Sequence, residues 1–255
     1  GGAISAQSVD LLSGNGSSSL SIYESLFQYN EAHRSGGAVF NWNSSINFFK
    51  GMFISNKSGY LGGAIYTKYG SFTDFERCVF NLNSAERFGG AIVADGGSRS
   101  LIERDSALKR GTLDKKLDIS LVLNLDKCTL FDNIALKGSN ISSYGSLTKI
   151  RIDNSIIFQS KDKEGLGLYI YDQAKVSMSG SNISDFSNLI ENKYEFITNK
   201  GEVLDLGENI NIRPYFIDKD NPIGDDGTIF TSDDGLNLNS RKIGFLIENQ
   251  FMGAY

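Results

Sequence analysis

Residues 53–65 read Phe53-Ile54-Ser55-Asn56-Lys57-Ser58-Gly59-Tyr60-Leu61-Gly62-Gly63-Ala64-Ile65. Phe53 stands three residues before an asparagine, and that asparagine stands six residues before a Gly-Gly-Ala-aliphatic tetrad. The same arrangement occurs at Phe27, Asn30 and Gly36 to Val39, and again at Phe80, Asn83 and Gly89 to Ile92. The chain opens on a fourth tetrad, Gly1 to Ile4. A motif that keeps its internal offsets is a structural repeat, and a repeat has to be recognised before anything else about the fold is argued.

Working outward, the phenylalanine column continues as Leu130, Ile157 and Ile183, in steps of 26, 27, 50, 27 and 26 residues. Two residues before each anchor stand Ser25, Gly51, Cys78, Cys128, Ser155 and Ser181, all small. Five before stand Ile22, Phe48, Phe75, Leu125, Ile152 and Met178, all apolar. Short alternating runs in a step of this length, with no helical period, make one coil of strands and turns, stacked about 4.8 Å from the next. Parallel crossovers are right-handed, so the expected fold is all-β: a right-handed parallel β-helix of about seven coils, roughly 35 Å long, with a C-terminal cap. The stacked Asn30, Asn56, Asn83 and Asn133 amides are expected to bond to one another and to turn backbone. The paired glycines allow close backbone approach.

Composition fits this reading. The chain has 28 Gly, 2 Pro and 40% hydrophobic residues. A formal charge of -5 provides no basic stripe for nucleic acid. No apolar run approaches the roughly 18 residues of a membrane-spanning helix. The start at Gly1, mid-coil, leaves room for a leader or further coils upstream, and for end-to-end stacking of successive chains.

The repeated GGAI and FxxN tetrads, as in Gly62 to Ile65 and Phe53 to Asn56, resemble those of the passenger domains of chlamydial polymorphic outer membrane proteins. The likeness covers coils 1–190. It implies an exported bacterial protein, at the cell surface, in the outer membrane or secreted, autotransporter-like, with adhesion to a cell, matrix or glycan ligand as its role. The tail, with Asn211 to Asp218, Asp225 to Gly227, Asp233 to Leu236 and Met252 to Tyr255, resembles the closing segment of secreted β-helix proteins that ends in DIGAYE. It departs from that pattern at Arg213, at Ser240 and at Phe251. Residues 191–255 are accordingly expected to hold the last coil or coils and the cap.

The step of 50 marks an insertion at 97–118, dense in charge, with Arg99, Arg104, Lys109 and Arg110 as candidate ligand contacts. It reads either as a binding loop or as a solvated hairpin. If the tetrad aliphatics point inward, Phe40, Tyr66 and Val93 form one outward column, and Trp42, Lys68 and Asp95 another. Trp42, Tyr66, Lys68 and Asp95 are then candidates to hold a sugar. A single lysine and a single aspartate make a thin acid–base set, so a polysaccharide lyase is the alternative reading and a structural stalk or filament a third. Asp218, Asp220, Asp225, Asp226, Asp233 and Asp234 are candidate ligands for a structural Ca²⁺. His33, the only histidine, reads as an exposed turn residue. Cys78 and Cys128 share one inward column, either as packed thiols or as a disulfide.

Overall fold

The computed structural model describes residues 2–7, 19–68, 70–97, 120–159, 167–192, 197–198, 200–231, 234, 236 and 253. Its strands form a right-handed parallel β-solenoid of about six turns. A seven-stranded sheet contains Ile4–Gln7, Val39–Trp42, Ile65–Lys68, Ile92–Asp95, Ile141–Tyr144, Leu168–Tyr171 and Ile197–Thr198 in that order. An eleven-stranded sheet forms the opposite wall, and a three-stranded sheet of Glu31–Ala32, Lys57–Ser58 and Ser84–Ala85 closes the third side. Among the described residues the one helix is Phe186–Ile190. None there is long and apolar enough to cross a membrane.

The register is the one the columns imply. Phe27 pairs with Phe53, Phe53 with Phe80, Phe80 with Leu130, Leu130 with Ile157 and Ile157 with Ile183. The Phe27, Phe53 and Phe80 rings stack at 4.7 and 4.6 Å. Phe48 and Phe75 stack at 5.0 Å in a second ladder that meets the first edge-on. Offset stacking within a ladder and T-shaped contact between ladders are the two arrangements that aromatic quadrupoles favour.

Each coil bends at two left-handed corners. Lys50, Arg77, Lys127 and Asn154 carry positive φ at the first, and Tyr29, Ser55, Leu82 and Asp132 at the second. Non-glycine residues enter this region at a cost of about 1–2 kcal/mol each, and the cross-coil bonds around the corners hold them there. After the second corner comes the asparagine ladder. Asn56 Oδ1 accepts from both the backbone N–H and Nδ2 of Asn30, and Asn83 Oδ1 and Asn133 Oδ1 do the same for the coil below. Asn140 ends the run by accepting from Asn133 Nδ2 at 2.8 Å. The small column beside the first corner is also bonded across coils: Cys128 N–H donates to Ser155 Oγ, and Ser155 N–H to Ser181 Oγ, each at 3.0 Å.

The second glycine of each tetrad has a strict geometric reason. A Cβ on Gly63 would lie 2.1 Å from the Gly90 carbonyl oxygen and one on Gly37 2.0 Å from that of Gly63. Only the absence of a side chain lets adjacent coils close to strand spacing there.

The coil register runs further than the anchor column. Glu202–Asp205 pairs with Lys175–Ser179, and Ile210 bridges to Asn182. After that the chain turns along the flank of the rod. Phe216, Ile223, Ile229, Phe230 and Leu236 pack on Met52, Ile54, Val79 and Phe131, the outward residues of the eleven-stranded wall. Gly253 N–H reaches the Asn154 carbonyl at 2.9 Å. The described part of the tail thus covers an apolar side wall several coils deep.

Candidate functional site

Strand alternation sends the residues one and three after each tetrad aliphatic to the outside of the seven-stranded sheet. Two outward rows result. One runs Phe40, Tyr66, Val93, Ser142, Tyr169 and the other Trp42, Lys68, Asp95, Tyr144, Tyr171. A third row, at the turn before the tetrads, places Leu61 beside Phe88 and Phe88 beside Lys137.

Trp42, Lys68 and Asp95 therefore stand on consecutive coils in one row, as expected. Lys68 Nζ sits 5.7 Å from the Trp42 ring centroid, a cation–π distance. Tyr66 lies in the neighbouring row and reaches across, donating from its hydroxyl to Asp95 Oδ2 at 2.7 Å. It points outward yet is only 6% exposed, so its contribution to this face is the bond to Asp95. Burial pushes the Asp95 carboxyl above the ordinary aspartate range, against the opposing pull of the Tyr66 hydroxyl, the Lys68 charge and the Gly97 N–H. The Gly97 bond, 3.1 Å to Asp95 Oδ1, fixes the carboxylate at the end of its strand.

Beyond Asp95 the face becomes aromatic, and these residues were not singled out from sequence. Tyr144 and Tyr171 stack at 5.3 Å with their planes 16° apart, and Tyr169 and Tyr171 lie 6.2 Å and 11° apart. Phe88 stacks on Tyr169 at 5.9 Å. That contact spans the coil carrying Ser142, which is small and 4% exposed. A groove of about 350 Å³ opens here, lined by Leu61, Phe88, Val93, Asp95, Ser142, Ser143, Tyr144, Tyr169 and Tyr171. Extending the two outward columns by the same register to Tyr144, Tyr169 and Tyr171 was the signal that would have found it.

The other candidates fall elsewhere. Arg99, Arg104, Lys109 and Arg110 lie outside the described residues, as does Asp233. Asp218, Asp220, Asp225 and Asp226 are exposed in the tail. Asp218 Oδ1 accepts from the Asp220 N–H, Asp225 Oδ1 from Asn221 Nδ2 and Asp226 Oδ1 from the Thr228 N–H. Asp234 is buried and accepts from the Thr231 N–H. Among the described residues no three His, Cys, Asp or Glu side chains are grouped to hold a metal ion. Cys78 and Cys128 are buried free thiols. Burial, together with the neighbouring Cys78, pushes the Cys128 thiol well up, which leaves it protonated and packed as a small apolar group.

Fold and face together define a parallel β-helix rod whose one flank is covered by its own tail and whose seven-stranded sheet presents an aromatic groove beside a half-buried carboxylate. Residues 52–68 match the model of the Chlamydia polymorphic membrane protein repeat. That span contains Phe53, Asn56 and the Gly62 to Ile65 tetrad, and the repeat ties the chain to outer-membrane surface proteins at the level of likeness. The match does not extend to the closing segment. No curated protein and no solved structure gives a significant match to the chain.

Proposed function

We propose that the chain is the passenger-type rod of an exported bacterial surface protein and that it binds a cell, matrix or glycan ligand through the outer face of its seven-stranded sheet. The observation that carries this reading is the outward row Trp42, Lys68, Asp95, Tyr144, Tyr171. A regular core does not need that row, because its residues lie on the side facing away from the Phe and Ile ladders. Rings and a carboxylate repeated at coil spacing are what an extended ligand lying along the rod would meet. The repeat likeness supports export to the surface, and the charged insertion at 97–118 follows Asp95 closely in the sequence.

The test is binding of the purified chain to epithelial cells and to immobilised matrix glycoproteins. Replacing Tyr144 and Tyr171 together by alanine is expected to reduce capture at least tenfold with the thermal transition unchanged. Deleting 97–118 is expected to weaken capture as well. Capture that survives both changes removes this face from the account.

A further inference from the structure

The groove on that face has features that a general adhesive surface does not require. Its floor is built where the outward row shrinks, from Tyr66 through Val93 to Ser142, before Tyr169 restores a large ring. Ser142 Oγ is buried and has no hydrogen-bond partner. A buried hydroxyl without a partner costs about 1–3 kcal/mol, and such a group calls for an explanation. One χ1 angle and a free hydroxyl rotor give that oxygen its reach. On one side stands the Asp95 carboxylate, held by Tyr66 and Gly97. On the other stand three tyrosine rings, with Tyr171 16° from the plane of Tyr144 and 11° from that of Tyr169.

This set selects a chemistry. Offset stacked rings leave edges and part of a ring face open as apolar surface, and the hydroxyls and carboxylate beside it suit a ligand with hydrogen-bonding groups around an apolar face. A pyranose has that shape: axial C–H groups on one face and hydroxyls at the rim. Charge narrows it further. Among the described residues the groove lining carries Asp95 and neither Lys nor Arg. Two described cations stand at the rim and are already directed inward to the protein. Lys137 Nζ lies 4.8 Å from the Tyr169 ring and 3.4 Å from its hydroxyl, and Lys68 is directed at Trp42 and Asp95. A uronate would bring its carboxylate to Asp95 with no cation among the described lining residues to meet it.

We propose that this groove is a subsite for one neutral sugar ring of a glycan, its apolar face on Tyr144 and Tyr171 and its hydroxyls on Ser142 and Asp95. The inference deepens the surface-binding reading and rests on it for its biological setting, but the subsite is defined by its own residues.

The experiment is a titration of the chain, followed by calorimetry and by saturation-transfer NMR, with cellohexaose, maltohexaose, hexa-N-acetylchitohexaose and hexagalacturonate. At least one neutral oligosaccharide is expected to bind at least tenfold more tightly than hexagalacturonate. Tyr171→Ala and Ser142→Val are each expected to weaken that binding at least tenfold. Valine is accommodated at this row position one coil earlier, at Val93, so Ser142→Val tests the hydroxyl without emptying the floor, and an unchanged thermal transition confirms the fold. Tyr23→Ala, an exposed ring on the other wall, is the control and leaves affinity unchanged. Preference for hexagalacturonate, binding to none of the four, or neutral binding indifferent to both groove variants overturns the subsite. An aromatic peptide that binds the groove while the sugars do not overturns it in favour of protein docking. Cell capture without sugar binding sinks the subsite and leaves adhesion standing. Sugar binding without cell capture does the reverse.

Discussion

Replacing Asn83 by alanine tests whether the asparagine ladder holds the coils together. Asn83 Oδ1 accepts the Asn56 backbone N–H and Asn56 Nδ2, both at 2.9 Å. Its own Nδ2 donates to the Phe53 carbonyl at 2.8 Å and to Asn133 Oδ1 at 2.9 Å. Asn133 Oδ1 retains the Asn83 backbone N–H after the change. The Asn56 N–H, one Asn56 Nδ2 proton and the Phe53 carbonyl lose their partners in a site fully removed from water. At about 1–3 kcal/mol for each buried polar group left unmade, with partial relaxation, the loss is about 3–5 kcal/mol. For a chain of this size that lowers the Tm by on the order of 10 °C. Asn30→Ala is the internal comparison. It sits at the end of the ladder, where Asn56 Oδ1 keeps the Asn30 backbone N–H, and its cost is about 1 kcal/mol or less. Calorimetry and urea unfolding measure both, and hydrogen exchange places the opening, since solenoid coils depend mainly on nearest neighbours. Equal Tm losses for the two variants, or a loss below about 1 kcal/mol for Asn83→Ala, would refute a ladder whose strength lies in its interior amides.

Gly63→Ala puts a Cβ 2.1 Å from the Gly90 carbonyl oxygen and is expected to abolish soluble folded protein, whereas Gly167→Ala, with its nearest atom at 3.4 Å, leaves the circular dichroism spectrum and Tm close to wild type. Phe80→Ala removes a fully buried ring stacked on Phe53 and is expected to cost about 3–5 kcal/mol, with Phe80→Leu costing much less in denaturant titrations because the next coil already carries Leu130 in that column. The raised Asp95 carboxyl favours its protonated form in the fold, so its contribution to stability is present below the ordinary aspartate pKa and is lost as pH rises through the folded value; Asp95→Asn is expected to raise stability at neutral pH and flatten the pH profile across that acid window, and an unchanged profile counts against the burial argument. A structural Ca²⁺ in the tail, taken by Asp218, Asp220, Asp225 and Asp226 in exchange for their present turn hydrogen bonds, is expected to stabilise the fold by about 2–3 kcal/mol where calcium stands at 100-fold over Kd and so to raise the Tm, and a Tm indifferent to EDTA dismisses it.

The repeat was legible because stacking is a strictly local rule. Phe27, Phe53 and Phe80, or Asn30, Asn56 and Asn83, sit one coil apart in the chain and one strand spacing apart in space, so sequence columns become ladders without further assumption. The same rule carried Trp42, Lys68 and Asp95 correctly into one outward row. It was blind to contacts between columns. The small residues Ser155 and Ser181 read only as space-savers, whereas their hydroxyls accept the backbone N–H groups of Cys128 and Ser155 on the preceding coil, since whether a small side chain is bonded depends on corner geometry. Tyr66 read as a surface ring and is buried, its hydroxyl committed to Asp95.

What the sequence by itself determined is the coil register, the content of the two inward ladders and the need for glycine where coils close. Tertiary structure alone decided the rest. Phe216, Phe230 and Leu236 lie on the flank over Met52 and Ile54 because that wall is apolar on its outer side as well, and the tail is the segment that removes it from water. Phe88 meets Tyr169 across the coil of Ser142, and Tyr171 lies against Tyr144, because side chains lean along and between coils by amounts no column records. The groove follows from that leaning: a small residue in one row leaves a space only if the large residues of its neighbours stand around it.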